Sequence, residues 1–139
     1  MVENPLATAK IAWLISVFDP RKPAALRRWV RAHATPAVSD ENVLNTLVLV
    51  VNEAVTTSGE ASATGDPVTV ELWRRPNELR FLVACGAMLP TVLTAAPPAD
   101  PRMRALWLSL QISSEIIANI TRVGASSRIV VTLRSGRWS

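Results

Sequence analysis

Apolar and polar residues alternate along this chain in patterns that predict a small set of elements. Ile11–Phe18 (IAWLISVF) is rich in β-branched and aromatic residues and reads as a strand, which Asp19, Pro20 and Pro23 then break. From Pro23, a residue favoured in a first helical turn, Leu26, Trp29 and Val30 recur at helical spacing while Arg27, Arg28 and Arg31 face elsewhere. This predicts an amphipathic helix ending before Pro36. Ser39 or Asp40 caps a second helix, in which Val43, Leu44, Leu47, Val48, Val50, Val51, Ala54 and Val55 leave almost no polar side. Such a helix is buried under a sheet and against another helix, and it is the element on which the rest is arranged. It is expected to end at Gly59, where the small polar loop Gly59–Pro67 begins.

Val68, Val70 and Leu72 alternate with Thr69, Glu71 and Trp73, and the run Arg75-Pro-Asn-Glu turns the chain back into Leu79–Ala84. These two runs predict an antiparallel hairpin. Residues 87–102 hold several prolines and few charges, and read as a lid or a plain linker. From Arg102 to Ile120 the positions Leu106, Leu110, Ile112, Ile116, Ile117 and Ile120 suggest a third helix, and Arg128–Arg134 (RIVVTLR) a last strand. Residues 1–10 form a loose start. The order predicts one α+β domain spanning 1–139, a two-layer α/β sandwich with helices on one face of a mostly antiparallel sheet.

A length of 139 residues suits one domain with a normal core, and 49% apolar against 19% charged residues is a globular composition. Cys85 is the only cysteine, so no disulfide forms within the chain and a cytoplasmic setting is expected. Its side chain is either a small buried apolar group or a reactive thiol. Ile11–Phe18 is too short to span a membrane and lacks the flanks of a signal peptide, so no membrane association is expected. The net charge of +4 gathers in Arg21–Arg31 and Arg122–Arg137, which suits an acidic protein, a phosphate or nucleic acid. No nucleic-acid-binding motif accompanies it, and direct nucleic-acid binding is not expected. The single histidine, His33, reads as a surface residue near a helix C-terminus.

With one His and one Cys, a Cys/His metal cluster is excluded, and a His-based hydrolase triad would have to recruit His33. Neither a P-loop nor a GxGxxG dinucleotide loop occurs. What remains is Glu53, one turn before Thr57 on an otherwise apolar helix. A partly buried carboxylate there acts as a general base near neutral pH; equally, it is a helix-end acid that reaches solvent or an arginine.

Three strings resemble the histidine-kinase-like (GHKL) ATPases, in the small single-domain branch that includes bacterial anti-sigma factor serine kinases. The resemblance runs from about Trp13 to Leu133 and implies a Bergerat-type fold. The family pattern E-L-V-T-N-A-V-x-H-G is similar to Glu53-Ala-Val-Thr-Thr57-Ser-Gly. It implies that Glu53 orients or activates the attacking group, and that Thr57 stands where an asparagine ligates Mg²⁺. The pattern V-x-D-x-G resembles Val83-Ala84-Cys85-Gly86-Ala87, with Cys85 in place of the aspartate that binds the adenine amino group. The lid end G-R-G-L-W-L resembles Met103-Arg104-Ala105-Leu106-Trp107-Leu108, which keeps Arg104 and Leu106 but puts Ala105 where a glycine approaches the phosphates.

Losing the aspartate forfeits roughly 1.5–3 kcal/mol of charged hydrogen bonding, and a Cβ at Ala105 costs about 1 kcal/mol or more. With a weaker Mg²⁺ ligand at Thr57, the total of about 4 kcal/mol turns a micromolar nucleotide affinity into a millimolar one. The resemblance therefore implies a regulatory protein-binding module of the anti-sigma, partner-switching kind with a degenerate ATP site. It would bind a sigma factor or an anti-sigma antagonist, with the basic helix face Arg27, Arg28 and Arg31 meeting the partner and homodimerisation expected by analogy. The alternative is an active ATP- and Mg²⁺-dependent serine/threonine kinase with Glu53 as base.

Overall fold

The computed structural model describes residues 12–62, 66–86, 89 and 97–134. Strand β1 (Ala12–Phe18) leads into helix α1 (Pro23–Ala34) and, after a short 3-10 turn, into the 22-residue helix α2 (Glu41–Ser62). The hairpin β2 (Val68–Arg75) and β3 (Glu78–Cys85) follows, then helix α3 (Pro101–Leu110) and a second hairpin, β4 (Ile116–Val123) and β5 (Ser126–Arg134). The sheet is antiparallel throughout, in the order β1-β2-β3-β5-β4. The α+β class and the antiparallel sheet agree with the sequence pattern.

Alternation decides which side of the sheet carries helices. Val70 and Leu72 of β2, Phe81 and Val83 of β3, and Ile129 and Val131 of β5 share one face and are fully or almost fully buried. Their registered neighbours bring Leu72 opposite Phe81 and Phe81 opposite Val131. Over this face lies α2, whose Leu47, Val50, Val51, Ala54 and Val55 are closed to solvent, with α1 on one flank and α3 on the other. Burying each such side chain contributes about 1.5–3 kcal/mol, which is why a helix with almost no polar side is stable only here. Asp40 starts α2 by accepting from the Asn42 and Val43 amides at 2.9 and 3.4 Å, while Asp100 caps α3 through the Arg102 amide at 2.9 Å.

Two expectations from the sequence are corrected. The helix expected over Arg102–Ile120 stops at Leu110, and Ile116, Ile117 and Ile120 belong to β4. Ile116 and Ile120 satisfy both a helical spacing and a period of two. In the structure they point inward opposite Leu133 and Ile129, whereas Ile117 points outward and is half exposed. A strand resolves the ambiguity because β5 would otherwise have an unpaired edge over the core, and β-branched residues suit that pleated surface. Gly124, with φ +64°, makes the tight turn between β4 and β5.

The second correction concerns α2, which runs through Gly59 to Ser62 and does not end at the glycine. Gly59 sits inside the helix because a Cβ there would lie 2.6 Å from the Cβ and Cγ of Pro20. Close packing, not helix termination, accounts for it.

Most of the stretch expected as a lid or linker lies outside the described residues. Within it Leu89 is buried and donates its amide to Ser127 Oγ at 2.8 Å. Residues 97–100 lead into α3. His33 is half-buried, its ring 5.2 Å from that of Trp29 in an edge-on arrangement, and so is less of a surface residue than its position suggested.

Candidate functional site

The residues singled out in the sequence divide into three places. Glu53 and Thr57 lie one turn apart on α2 as expected, beside the start of α3. Glu53 is half-buried, and burial, reinforced by the nearby Glu60 carboxylate, pushes its pKa above the ordinary carboxylate value. Among the described residues it has no hydrogen bond or ion pair to offset that burial, and a carboxylate whose proton is held more tightly is the kind of group a general base needs.

Thr57 is 2% exposed, and its hydroxyl donates to the Arg102 carbonyl at 3.1 Å. The first turn of α3 is therefore pinned directly onto the position where the family resemblance sets a metal ligand. A closed-off hydroxyl spent on a backbone carbonyl is a poor donor set for Mg²⁺, which prefers several oxygen ligands and retained waters. Among the described residues no three His, Cys, Asp or Glu side chains gather into a metal-holding group.

Cys85 and Gly86 end β3 at the same C-terminal half of α2. The Cys85 thiol is 3% exposed and points at the Ser58 carbonyl, 3.7 Å away. It therefore behaves as the small buried group of the two readings given above. Among the described residues, the Ser62 Cβ at 4.0 Å is the one atom near the missing side chain of Gly86, which does not have a positive φ. No close approach by a described residue and no backbone strain requires glycine there.

Arg104, Ala105 and Leu106 all lie on α3, in regular helix and not at the end of a loop. Arg104 is exposed and donates from Nε to the Pro98 carbonyl at 3.5 Å. Ala105 is exposed, while Leu106 is fully buried and belongs to the core. The structure thus joins Thr57 to the start of α3 and Cys85 to Ser58 in the C-terminal half of α2, with Glu53 one turn before Thr57 on the same helix, while Leu106 serves packing.

Arg27 and Arg28 are exposed on α1, on the opposite flank of α2. Arg31 is less free than its neighbours: it bonds Glu41 Oε1 at 3.1 Å and Asn45 Oδ1 at 2.7 Å, which ties α1 to α2.

Sequence reasoning missed three features. Arg102 enters the site through its backbone carbonyl, which no side-chain pattern announces. Ser58 is 1% exposed with no partner for its hydroxyl, and Asn52 Oδ1 is likewise buried and unpartnered. The run Thr56-Thr57-Ser58 signalled hydroxyls at this turn, but not which of them would be left without a bond. The third feature is the outer face of the sheet. There Trp13, Ile15 and Val17 of β1 are 53%, 49% and 56% exposed, and Trp13 packs on Trp73 with ring centroids 5.8 Å apart.

In comparisons with known proteins, no family model matches this chain and no match is found among curated proteins. No helix among the described residues is long and apolar enough to cross a membrane.

Proposed function

We propose that this chain is a regulatory protein-binding module of Bergerat-type architecture, similar to the anti-sigma factors of partner-switching systems, with a nucleotide site that no longer holds Mg·ATP. The observation that carries the reading is the bond from Thr57 to the Arg102 carbonyl, which closes the turn of α2 where the resemblance puts a metal ligand. The burial of Cys85 against Ser58 adds to it, because a thiol is a weak substitute for an aspartate facing an adenine amino group.

Partner binding is supported by surfaces. Trp13, Ile15 and Val17 form an exposed apolar row along a sheet edge, and single chains seldom leave such rows uncovered without a use for them. Arg27 and Arg28 offer positive charge on another side of the molecule, suited to an acidic protein partner such as a sigma factor or an anti-sigma antagonist. A homodimer and a cytoplasmic setting belong to the same proposal.

Glu53 favours a second reading. Its raised pKa and lack of an ion-pair partner among the described residues are what an ATP-dependent serine/threonine protein kinase would want of a general base. Calorimetry with Mg·ATP separates the two. The binding-module reading expects no saturable heat below millimolar concentration, together with co-purification of a regulator from the same genome. A dissociation constant well below millimolar that disappears in Glu53→Ala decides for the kinase.

A further inference from the structure

Strand β4 forms the edge of the sheet opposite to β1, and among the described residues it has β5 as its one neighbour. The hairpin closes on the pair Val123–Ser126, and the Arg134 amide reaches the Glu115 carbonyl at 3.5 Å, so the cross-strand bonds of β4 fall at its odd-numbered residues. The amides and carbonyls of Ile116, Ala118, Ile120 and Arg122 therefore point out of the sheet, and no described residue bonds them. Natural sheets blunt such an edge with proline, lysine, a bulge or a covering element. β4 runs for 8 residues in unbroken register, rich in isoleucine and without Pro or Lys.

Beside the first half of this edge is a cavity of about 260 Å³. Trp107 and Leu110 line it from the end of α3, Ser113 and Ser114 from the connection, and Ile116 and Ala118 from β4. Ile117, at 50% exposure, borders it too, and Ile112, between two residues of the wall, is 61% exposed. The space is below the range of small-molecule sites (about 300–1,000 Å³) and suits a branched apolar side chain better than a cofactor. A strand added to β4 carries every second side chain on the same side as Ile116 and Ala118, toward this cavity.

Charge indicates what the added strand is. Arg122 is exposed, has no ion pair among the described residues, and by alternation lies on the same side of β4 as Ile116 and Ala118. An acidic side chain in the same register meets it. A second copy of this chain, pairing through its own β4, fits poorly. Its Ile116 and Ile120 are already buried in its own core at 2% and 6% exposure, and its Glu115 falls on the other side of the strand, so the cavity stays empty and Arg122 unanswered. We propose that the β4 edge and this cavity form a docking site for an extended peptide segment of another protein. The segment pairs antiparallel to β4, as every neighbour in this sheet does, with branched apolar side chains opposite Ile116 and Ala118 and an acidic one opposite Arg122. This surface is apart from the Trp13 row and from Arg27 and Arg28, and it does not rest on a Bergerat-type reading.

The test uses the full chain and the capped, fluorescein-labelled peptide Glu-Ser-Thr-Ser-Val-Ser-Leu, whose Glu, Thr, Val and Leu stand opposite Arg122, Ile120, Ala118 and Ile116. Fluorescence polarisation is expected to show saturable binding at sub-millimolar concentration. N-methylation of the valine, whose amide faces β4, should weaken binding at least tenfold, and N-methylation of the serine before it, whose amide points away, less than threefold. Ala118→Pro deletes an amide that β5 does not use, a position where an edge strand accepts proline, and should weaken binding tenfold or more. Arg122→Glu should weaken it threefold or more and reverse the preference toward a peptide with Lys in place of Glu. The N-methyl pair and the charge swap decide the matter even where Ala118→Pro fails to fold. No saturable binding, equal effects of the two N-methylations, or no effect of the charge swap would each overturn the proposal. So would a dimer, seen by sedimentation, that Ala118→Pro dissociates while the peptide does not bind, because the edge then belongs to a second copy.

Discussion

The hydroxyl of Thr57 donates to the carbonyl of Arg102 across 3.1 Å, joining the last third of α2 to the first turn of α3. Residues 45 positions apart are thereby fixed where sequence similarity implied an open ligand site. Thr57→Val keeps the shape and deletes the donor. It is expected to cost about 0.5–1.5 kcal/mol in urea unfolding, with Thr57→Ser restoring most of the loss. A Thr57→Val variant as stable as the parent would mean that α3 is not held by this bond.

Gly59 gives a prediction opposite to helix propensity. Alanine in a helix interior is about 1 kcal/mol better than glycine. Here its Cβ would meet the Pro20 ring at 2.6 Å, and overpacking of this kind costs typically about 1–3 kcal/mol. Since a proline ring cannot swing aside, Gly59→Ala is expected to lower the thermal midpoint, and Pro20→Ala in the same chain to recover part of it.

The three isoleucines of β4 test the strand against a helix. Ile116 and Ile120 face the core at 2% and 6% exposure, and Ile117 faces solvent at 50%. Truncation to alanine should cost about 2–4 kcal/mol at positions 116 and 120, and well under half of that at 117. A helix would put all three on one side, and similar losses at all three would contradict the strand.

Glu53 and Glu78 make stability depend on pH with opposite signs. Burial, and then Glu60, raises the pKa of Glu53, so the folded state holds the proton more tightly than the unfolded one, whose glutamate titrates near about 4.3. Stability from this group falls as pH rises from there through the raised folded value, and Glu53→Gln should be more stable than the parent at neutral pH. At Glu78 burial acts to raise the pKa, but hydrogen bonds from Arg134 and Arg80, both at 3.1 Å, outweigh it and leave it lowered. That contribution is present above the unfolded pKa and is lost as pH falls through the lowered folded value. Glu78→Gln should flatten the curve below the unfolded glutamate pKa and Glu53→Gln should flatten it above that pKa, measured by denaturant titration at each pH.

Trp13 is expected to matter more for association than for folding. It packs on Trp73 and donates from Nε1 to Glu71 at 3.2 Å, yet half of it faces solvent. Trp13→Ser combined with Val17→Ser should change stability by about 1 kcal/mol or less and abolish co-purification of a partner that uses this edge. Retained co-purification would move the partner surface to α1.

Much of the fold was legible because burial imposes a period. Val68, Val70 and Leu72 against Leu79, Phe81 and Val83 could only be a hairpin with one dry face, and the all-round apolar character of residues 43–55 could only be a helix under cover. Where two periods coincide, as at Ile116 and Ile120, the pattern was silent, and pairing with β5 made the choice. The residue types at the candidate site were equally plain in the sequence: an acid, hydroxyls and a lone thiol near the end of α2. Their state was not, because it depends on partners distant in sequence. The Arg102 carbonyl closes Thr57, the Pro20 ring explains Gly59, and the fold leaves the Ser58 hydroxyl buried without a bond. Sequence alone determined which groups are present and which face of each hairpin strand is dry, since both follow from local chemistry and alternation. Only the tertiary structure decided which of those groups are spent on the fold and which remain for a ligand, since that is set by contacts between elements that no local pattern encodes.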